Sequence, residues 1–213
     1  MPRRFAVIDI SLPLTPTTPP VPGDPPFARR LFLTHDDVGC EASSIILSAH
    51  SGTHLDFPAH FFPQGRRAGD YPATAFVRPA VVVDVATKCR LLPELLEATD
   101  VSPGDAVLFR TGNSVTQCFA GTNFPESFIS LTPTLAQELV RRQVGLVGID
   151  ALSVEGLTNP AYPVHHILLG ADVLVLEGLV LDAVAAGRYT LVCLPLAMPE
   201  AEASPVRAVL LPA

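Results

Sequence analysis

The chain has 213 residues, of which 48% are hydrophobic and 16% charged, and its formal net charge is −7. This length suits one domain with a buried core, and an acidic chain whose basic residues form no run longer than a pair is not expected to bind nucleic acid. It has no run of 18 apolar residues and no signal-peptide pattern, so we expect a cytoplasmic protein that does not bind membranes. The high apolar fraction also indicates contacts between subunits.

The predicted elements begin with a strand at residues 5–10, followed by the proline-rich segment 11–26. Each proline removes a backbone donor, so this segment cannot lie in a central strand or a helix interior. It is either a disordered linker or an ordered extended arm. We favour an arm over residues 1–28, because the segment lies between a strand-like run and the turn signal Pro22-Gly23-Asp24.

Strands alternate with only two predicted helices over the rest of the chain. The helices cover 91–98 and 132–143, and the second begins with Thr132 as N-cap and Pro133 in its first turn. Short apolar, β-rich runs predict strands at 29–34, 43–49, 80–85, 106–111, 144–149, 172–177, 190–195 and 206–211. We therefore predict one mixed, β-rich α/β domain over 1–213, with a sheet that could close into a barrel.

Three histidines and an aspartate form the pattern H-x3-H-x-D-x3-H between His50 and His60. A continuous strand over 50–56 would separate its ends by about 20 Å, too far to share one ion. A helix would pair His50 with His54 but turn Asp56 to the opposite side. We therefore predict a curled loop that brings these three side chains to a divalent metal. His60 is either a fourth ligand or a free acid–base group, and we favour the second.

A second candidate cluster lies between residues 165 and 177. Glu177 is the only charged residue in the apolar stretch 173–181. Burying an ionised carboxylate costs several kcal/mol unless a cation or hydrogen bonds compensate it, and a metal ion is one such cation. Alternatively, Glu177 ends a strand and points to solvent. Sequence alone does not distinguish His165 from His166 as its partner.

The segment from His50 to His60 resembles the H-x-G-T-H-x-D-x-P-x-H signature of the cyclase-like metal hydrolases. Over nearly its whole length, the chain most resembles the bacterial kynurenine formamidases of that family. The resemblance implies a swivelling β/β/α fold and a homodimer or homotetramer in which neighbouring chains help to build the pocket. It also implies two ions, most simply Zn²⁺ with Mn²⁺ as an alternative, bridged by Asp56, and His60 as the catalytic acid–base. The implied ligands are His50, His54, Asp56, His165 and Glu177.

The activity implied by the resemblance is release of formate from an N-formyl aryl amine, such as N-formyl-L-kynurenine, by metal-bound hydroxide. Val21 is a candidate substrate-binding residue, but relatives usually have tryptophan there, and this chain has none. The family segment D-x-x-S-x-D also ends here in Glu155. Three alternatives remain: a cyclase or dehydratase, a hydrolase of cyclic amides, and a non-catalytic ligand-binding protein. A serine hydrolase is disfavoured because no serine lies in a G-x-S-x-G frame.

Overall fold

The computed structural model describes residues 6–85, 90–113, 119 and 121–213. Three helices occur within these residues: α1 (His35–Val38), α2 (Pro133–Arg141) and α3 (Pro163–Gly170). The same residues contain eleven strands: β1 (Ile8–Asp9), β2 (Ala28–Leu33), β3 (Ala42–Ile46), β4 (His54–Asp56), β5 (Val77–Asp84), β6 (Ala106–Arg110), β7 (Leu146–Ile149), β8 (Leu174–Glu177), β9 (Gly187–Val192), β10 (Ala203–Pro205) and β11 (Val209–Pro212).

Nine of these strands form one mixed sheet, in the order β1-β11-β9-β5-β6-β7-β8-β4-β10. Strands β5 to β8 pair in parallel, and the strands on either side of them pair antiparallel. Beyond β1, Ser11 forms a β-bridge with Leu179 beyond β8, which shows that the sheet curls back on itself. The predicted mixed, β-rich fold is therefore confirmed.

Both faces of the sheet are covered by hydrophobic side chains. Along β6, Val107 and Phe109 point to the face covered by α2 and α3, while Ala106 and Leu108 point to the opposite core. This alternation follows from the two-residue period of a strand. Burial on both faces also explains why the central parallel strands read as continuous apolar runs rather than alternating ones.

The helix predictions were only partly right. Helix α2 begins where predicted, with the backbone N–H of Leu135 donating to the Thr132 side chain. The helix predicted at 91–98 was wrong, because that segment forms only a short 3-10 turn, Pro93–Leu96. Helix α3 was missed: its sequence PVHHILLG is apolar nearly all round, so the 3.6-residue period that indicates a surface helix is absent.

The predicted proline-rich arm is held to the rest of the chain. The backbone N–H of Leu12 donates to Thr53 Oγ1 over 2.7 Å, and the hydroxyl of Ser48 donates to Asp24 Oδ2 over 2.5 Å. These bonds favour the ordered arm over the disordered linker from residue 6 onward. The arm leads into the separate two-stranded sheet of β2 and β3. Among the described residues, no helix is long and apolar enough to cross a membrane.

Candidate metal centre

The candidate site is built on β4, which lies between β8 and β10 in the main sheet. His54 and Asp56 are two residues apart on this strand and so share one face, while Leu55 between them is buried in the opposite core. The predicted curled loop was therefore wrong for His54 and Asp56, which lie in a regular strand. It was right for His50, because the chain bends over residues 49–53. The bend brings His50 Nδ1 to 3.0 Å from Asp56 Oδ1.

Strand pairing brings Glu177 to this site. In the register between β4 and β8, Glu177 lies directly opposite His54, and its Oε2 is 3.2 Å from His54 Nε2. The Glu177 side chain is buried, which excludes the alternative that it points to solvent. Its other oxygen, Oε1, accepts a hydrogen bond from the backbone N–H of Val154 over 2.6 Å.

Helix α3 supplies the third imidazole, that of His165. Its Nε2 lies 3.3 Å from Glu177 Oε1 and 3.8 Å from Asp56 Oδ2. His166 is exposed and instead contacts the rings of Phe61 and Phe62. The structure thus distinguishes the two adjacent histidines, which the sequence could not do.

Three buried polar atoms at the centre of this cluster lack a hydrogen bond from any described residue: His54 Nε2 and both carboxylate oxygens of Asp56. Leaving a buried polar group unsatisfied costs about 1–3 kcal/mol, and more when the group is charged. A cation among these atoms would remove that penalty, so the donor set fits a divalent metal. Within the part of the chain that the structure describes, two groups have ligand atoms that all lie within 4.8 Å of one another, and both include Asp56: His50, Asp56 and His60, and His54, Asp56 and Glu177.

The pKa values of the clustered side chains also indicate a site that favours positive charge. Burial opposes protonation of His54, but the carboxylates of Asp56 and Glu177 outweigh it and raise the pKa of His54 to about 9. His165 is likewise buried, yet its hydrogen bonds to Glu155 and Glu177 raise its pKa to about 10. Burial and Asp56 act to raise the pKa of Glu177, but His165 and His54 hold it at about 2. The carboxylates therefore stay ionised, and the cluster favours positive charge beside them.

His60 differs from the other histidines of the site. It follows β4 in a 3-10 turn, Pro58–His60, and is exposed. Its ring centroid lies 4.2 Å from that of His50. Desolvation, together with the nearby imidazoles of His50 and His165, lowers the pKa of His60 despite the opposing charge of Asp56. His60 is therefore mainly neutral near pH 7 and able to accept a proton.

A cavity of about 230 Å³ opens onto the cluster. Val21, the candidate substrate-binding residue, is among the residues that line it. Sequence reasoning missed Phe61, whose ring stacks on His165 at 4.8 Å, and Tyr162, which precedes α3 in the left-handed conformation with φ of 41°. In the sequence, only its position next to His60 could have indicated that Phe61 belongs to the site. The cavity thus has aromatic walls although the chain has no tryptophan.

The chain is thus a β-rich α/β protein with a curled mixed sheet. Strands β4 and β8, the bend before β4, and helix α3 bring three imidazoles and two carboxylates together at a candidate metal centre. The chain belongs to the family described as Putative cyclase, whose model matches residues 8–156. This confirms the family resemblance on which the sequence predictions depend.

Relatives of known sequence and structure agree with this assignment. A kynurenine formamidase from Salinibacter ruber is 39% identical over 97% of each chain, and one from Geobacillus thermodenitrificans is 37% identical over 95% of this chain and 96% of its own. A structure described as a predicted metal-dependent hydrolase from Bacillus stearothermophilus is 30% identical, with a TM-score of 0.82 and 98% of each chain covered. Isatin hydrolase A from Labrenzia aggregata shares the fold, with a TM-score of 0.84 at 24% identity over 97% of this chain and 93% of its own.

Proposed function

We propose that this protein is a metal-dependent amidohydrolase that releases formate from an N-formyl aryl amine such as N-formyl-L-kynurenine. The observation that carries the proposal is the convergence of buried imidazole and carboxylate groups on Asp56 beside a cavity with aromatic walls. Relatives that are 37–39% identical over nearly the whole chain are kynurenine formamidases, which supports the same activity here.

The donor set would accommodate two divalent ions per chain, because Asp56 belongs to both groups of candidate ligands. Nitrogen and carboxylate donors of this kind suit Zn²⁺, and they also accept Mn²⁺. When bound, such an ion lowers the pKa of a coordinated water from 15.7 to about 7 and polarises a carbonyl oxygen. The proposed ligands are His50, His54, Asp56, His165 and Glu177.

His60 is the proposed acid–base group. Because its pKa is lowered, it is free to take a proton from the attacking solvent molecule. It then returns that proton to the aryl nitrogen as the C–N bond breaks, since an arylamine leaves poorly as an anion. General acid–base catalysis of this kind contributes about 10² to 10⁴-fold.

The aryl ring of the substrate is proposed to lie in the cavity against Phe61, Tyr162 and Val21. These side chains are apolar or aromatic and adjoin the ion-binding groups, so a ring held there places an attached amide carbon near the nucleophile. The small side chain of Val21 leaves this wall without the tryptophan that the resemblance implies. A compact, cyclic aryl amide is for this reason the second candidate substrate.

The test is formate release from N-formyl-L-kynurenine, measured before chelation, after chelation and after a divalent ion is restored. We expect release that is lost with the ion and recovered with it. Turnover that a chelator does not affect would contradict the metal-dependent mechanism. Opening of a cyclic aryl amide without any formate release would assign the second candidate substrate instead.

The assembly we propose is a homodimer or a homotetramer, built through the hairpin of β2 and β3. Its side chains Phe32, Ile45 and Ile46 are 63%, 57% and 59% exposed. Exposed apolar side chains concentrated on one two-stranded sheet are typical of an element that another chain covers. Light scattering should report a dimer or larger, and Phe32→Glu should shift it toward the monomer.

A further inference from the structure

A third buried carboxylate, that of Glu155, lies next to the candidate metal centre and outside the proposed ligand set. Glu155 is 5% exposed and follows β7 in the chain. Its Oε1 lies 2.7 Å from Nδ1 of His165, on the opposite side of that ring from Nε2. The same imidazole therefore has Glu155 at one nitrogen and Glu177 and Asp56 at the other.

The remaining hydrogen bonds of Glu155 fix the helix that carries His165. Oε1 accepts from the backbone N–H of His165 over 2.8 Å, and Oε2 accepts from that of Val164 over 3.2 Å. These two N–H groups belong to the first turn of α3, where a helix has unpaired donors and favours a negative charge. One carboxylate thus holds both the backbone and the ring of His165.

We propose that Glu155 is a positioning residue that sets the affinity of the site for the ion bound by His165. A neutral imidazole carries its proton on one nitrogen only, and a carboxylate that accepts from Nδ1–H leaves the lone pair on Nε2. In this structure Nε2 faces Glu177 and Asp56. The inference rests on the proposed function, because it assumes that the cluster binds divalent ions.

The substitution Glu155→Gln separates this role from simple packing, because the side chain keeps its size. An amide has one acceptor oxygen, whereas Glu155 accepts from three donors on α3. If the amide NH₂ faces Nδ1, the ring must carry its proton on Nε2, where it blocks the metal. If the amide oxygen faces Nδ1 instead, the NH₂ group faces the backbone N–H of Val164, so that two donors meet with no acceptor between them. We expect affinity for one of the two ions to fall by about 10 to 100-fold.

The matched control is Glu202→Gln. Glu202 also lies near a site histidine, with Oε1 3.8 Å from His50 Nε2, but it is 42% exposed and makes no comparable set of bonds to a helix. This variant should bind both ions as the wild-type protein does. The variant His165→Ala provides the reference, since it should weaken the same ion as Glu155→Gln.

The experiment is titration of each metal-free protein with Zn²⁺ against a chromophoric chelator, with thermal unfolding of the metal-free forms alongside. The inference predicts that Glu155→Gln keeps one tight ion, weakens the other as His165→Ala does, and still unfolds in one cooperative transition when metal-free. Wild-type affinity for both ions, or an equal loss of both, would overturn it. A wild-type protein that binds no Zn²⁺ would instead refute the proposed function.

Discussion

The substitution Gly178→Ala tests how backbone packing positions the candidate metal centre. Gly178 directly follows β8 and has φ of +69°, and a Cβ placed there would lie 2.3 Å from the carbonyl oxygen of Gly52. That oxygen is the partner of His54 Nδ1 at 2.9 Å. The added methyl group must therefore push away the carbonyl that orients the His54 ring.

Three contributions determine the expected loss of stability. The left-handed conformation costs a residue with a Cβ roughly 1–2 kcal/mol. The bond from Thr53 Oγ1 to the carbonyl of Gly178, at 2.6 Å, and the bond between His54 and Gly52 are each worth about 1 kcal/mol when strained or lost. A total of about 3 kcal/mol lowers the Tm of a chain this long by about 6–12 °C.

The control for this prediction is Gly104→Ala. Gly104 has φ of +84°, but no atom lies within 4 Å of the position of its Cβ. Only the conformational cost of roughly 1–2 kcal/mol remains there, so the Tm should fall by about 2–8 °C and Zn²⁺ affinity should stay unchanged. Calorimetry gives the Tm values, and chelator competition gives the affinities. Equal losses of stability in the two variants, with wild-type Zn²⁺ affinity in both, would refute the reasoning.

Three further predictions follow from the site and its surroundings. His60→Ala should lower formate release by about 10² to 10⁴-fold while the metal content stays unchanged, and loss of an ion would instead make His60 a ligand. Free Zn²⁺ at 100 times its dissociation constant should stabilise the metal-free protein by about 2.7 kcal/mol for each ion bound, so that one ion raises the Tm by about 5–11 °C, and an unchanged Tm would contradict a preformed site. Burial and the nearby Asp172 raise the pKa of Tyr71 above 10, so the folded phenol stays protonated where the unfolded one ionises. The free energy of unfolding should therefore fall as pH rises above about 10, and it should fall less steeply in Tyr71→Phe. Urea unfolding at pH 9 to 11 measures this pH dependence, and an equal pH dependence in the two proteins would contradict the prediction.

Much of the candidate site could be predicted from the sequence, because three of its five proposed ligands lie in one short segment. His50, His54 and Asp56 lie within seven residues, so their spacing alone indicated a metal. The geometry of the site was harder to predict, because β4 becomes a strand by pairing with β8, and this pairing joins distant parts of the chain. Glu177 stood out as a lone charge in an apolar run, but its pairing with His54 depends on the register of that sheet.

Other parts of the site left little trace in the sequence. Helix α3 is apolar nearly all round, so its period could not be read, and the choice between His165 and His166 depends on which face it turns inward. The approach of Gly178 to Gly52 and the bond from Glu155 to His165 join segments that only the folded chain brings together. Local patterns predict which residue types can bind a metal, whereas long-range packing decides where their atoms lie.

The most direct test of the account is elemental analysis of the purified protein beside its Asp56→Asn variant. Asp56 is the acidic residue shared by both candidate ion positions, and both of its oxygens are buried without a hydrogen bond from the described residues. We predict two divalent ions per wild-type chain and loss of at least one from the variant. A wild-type chain that retains no ion, or a variant with the full wild-type content, would contradict the central claim that Asp56 organises a metal centre.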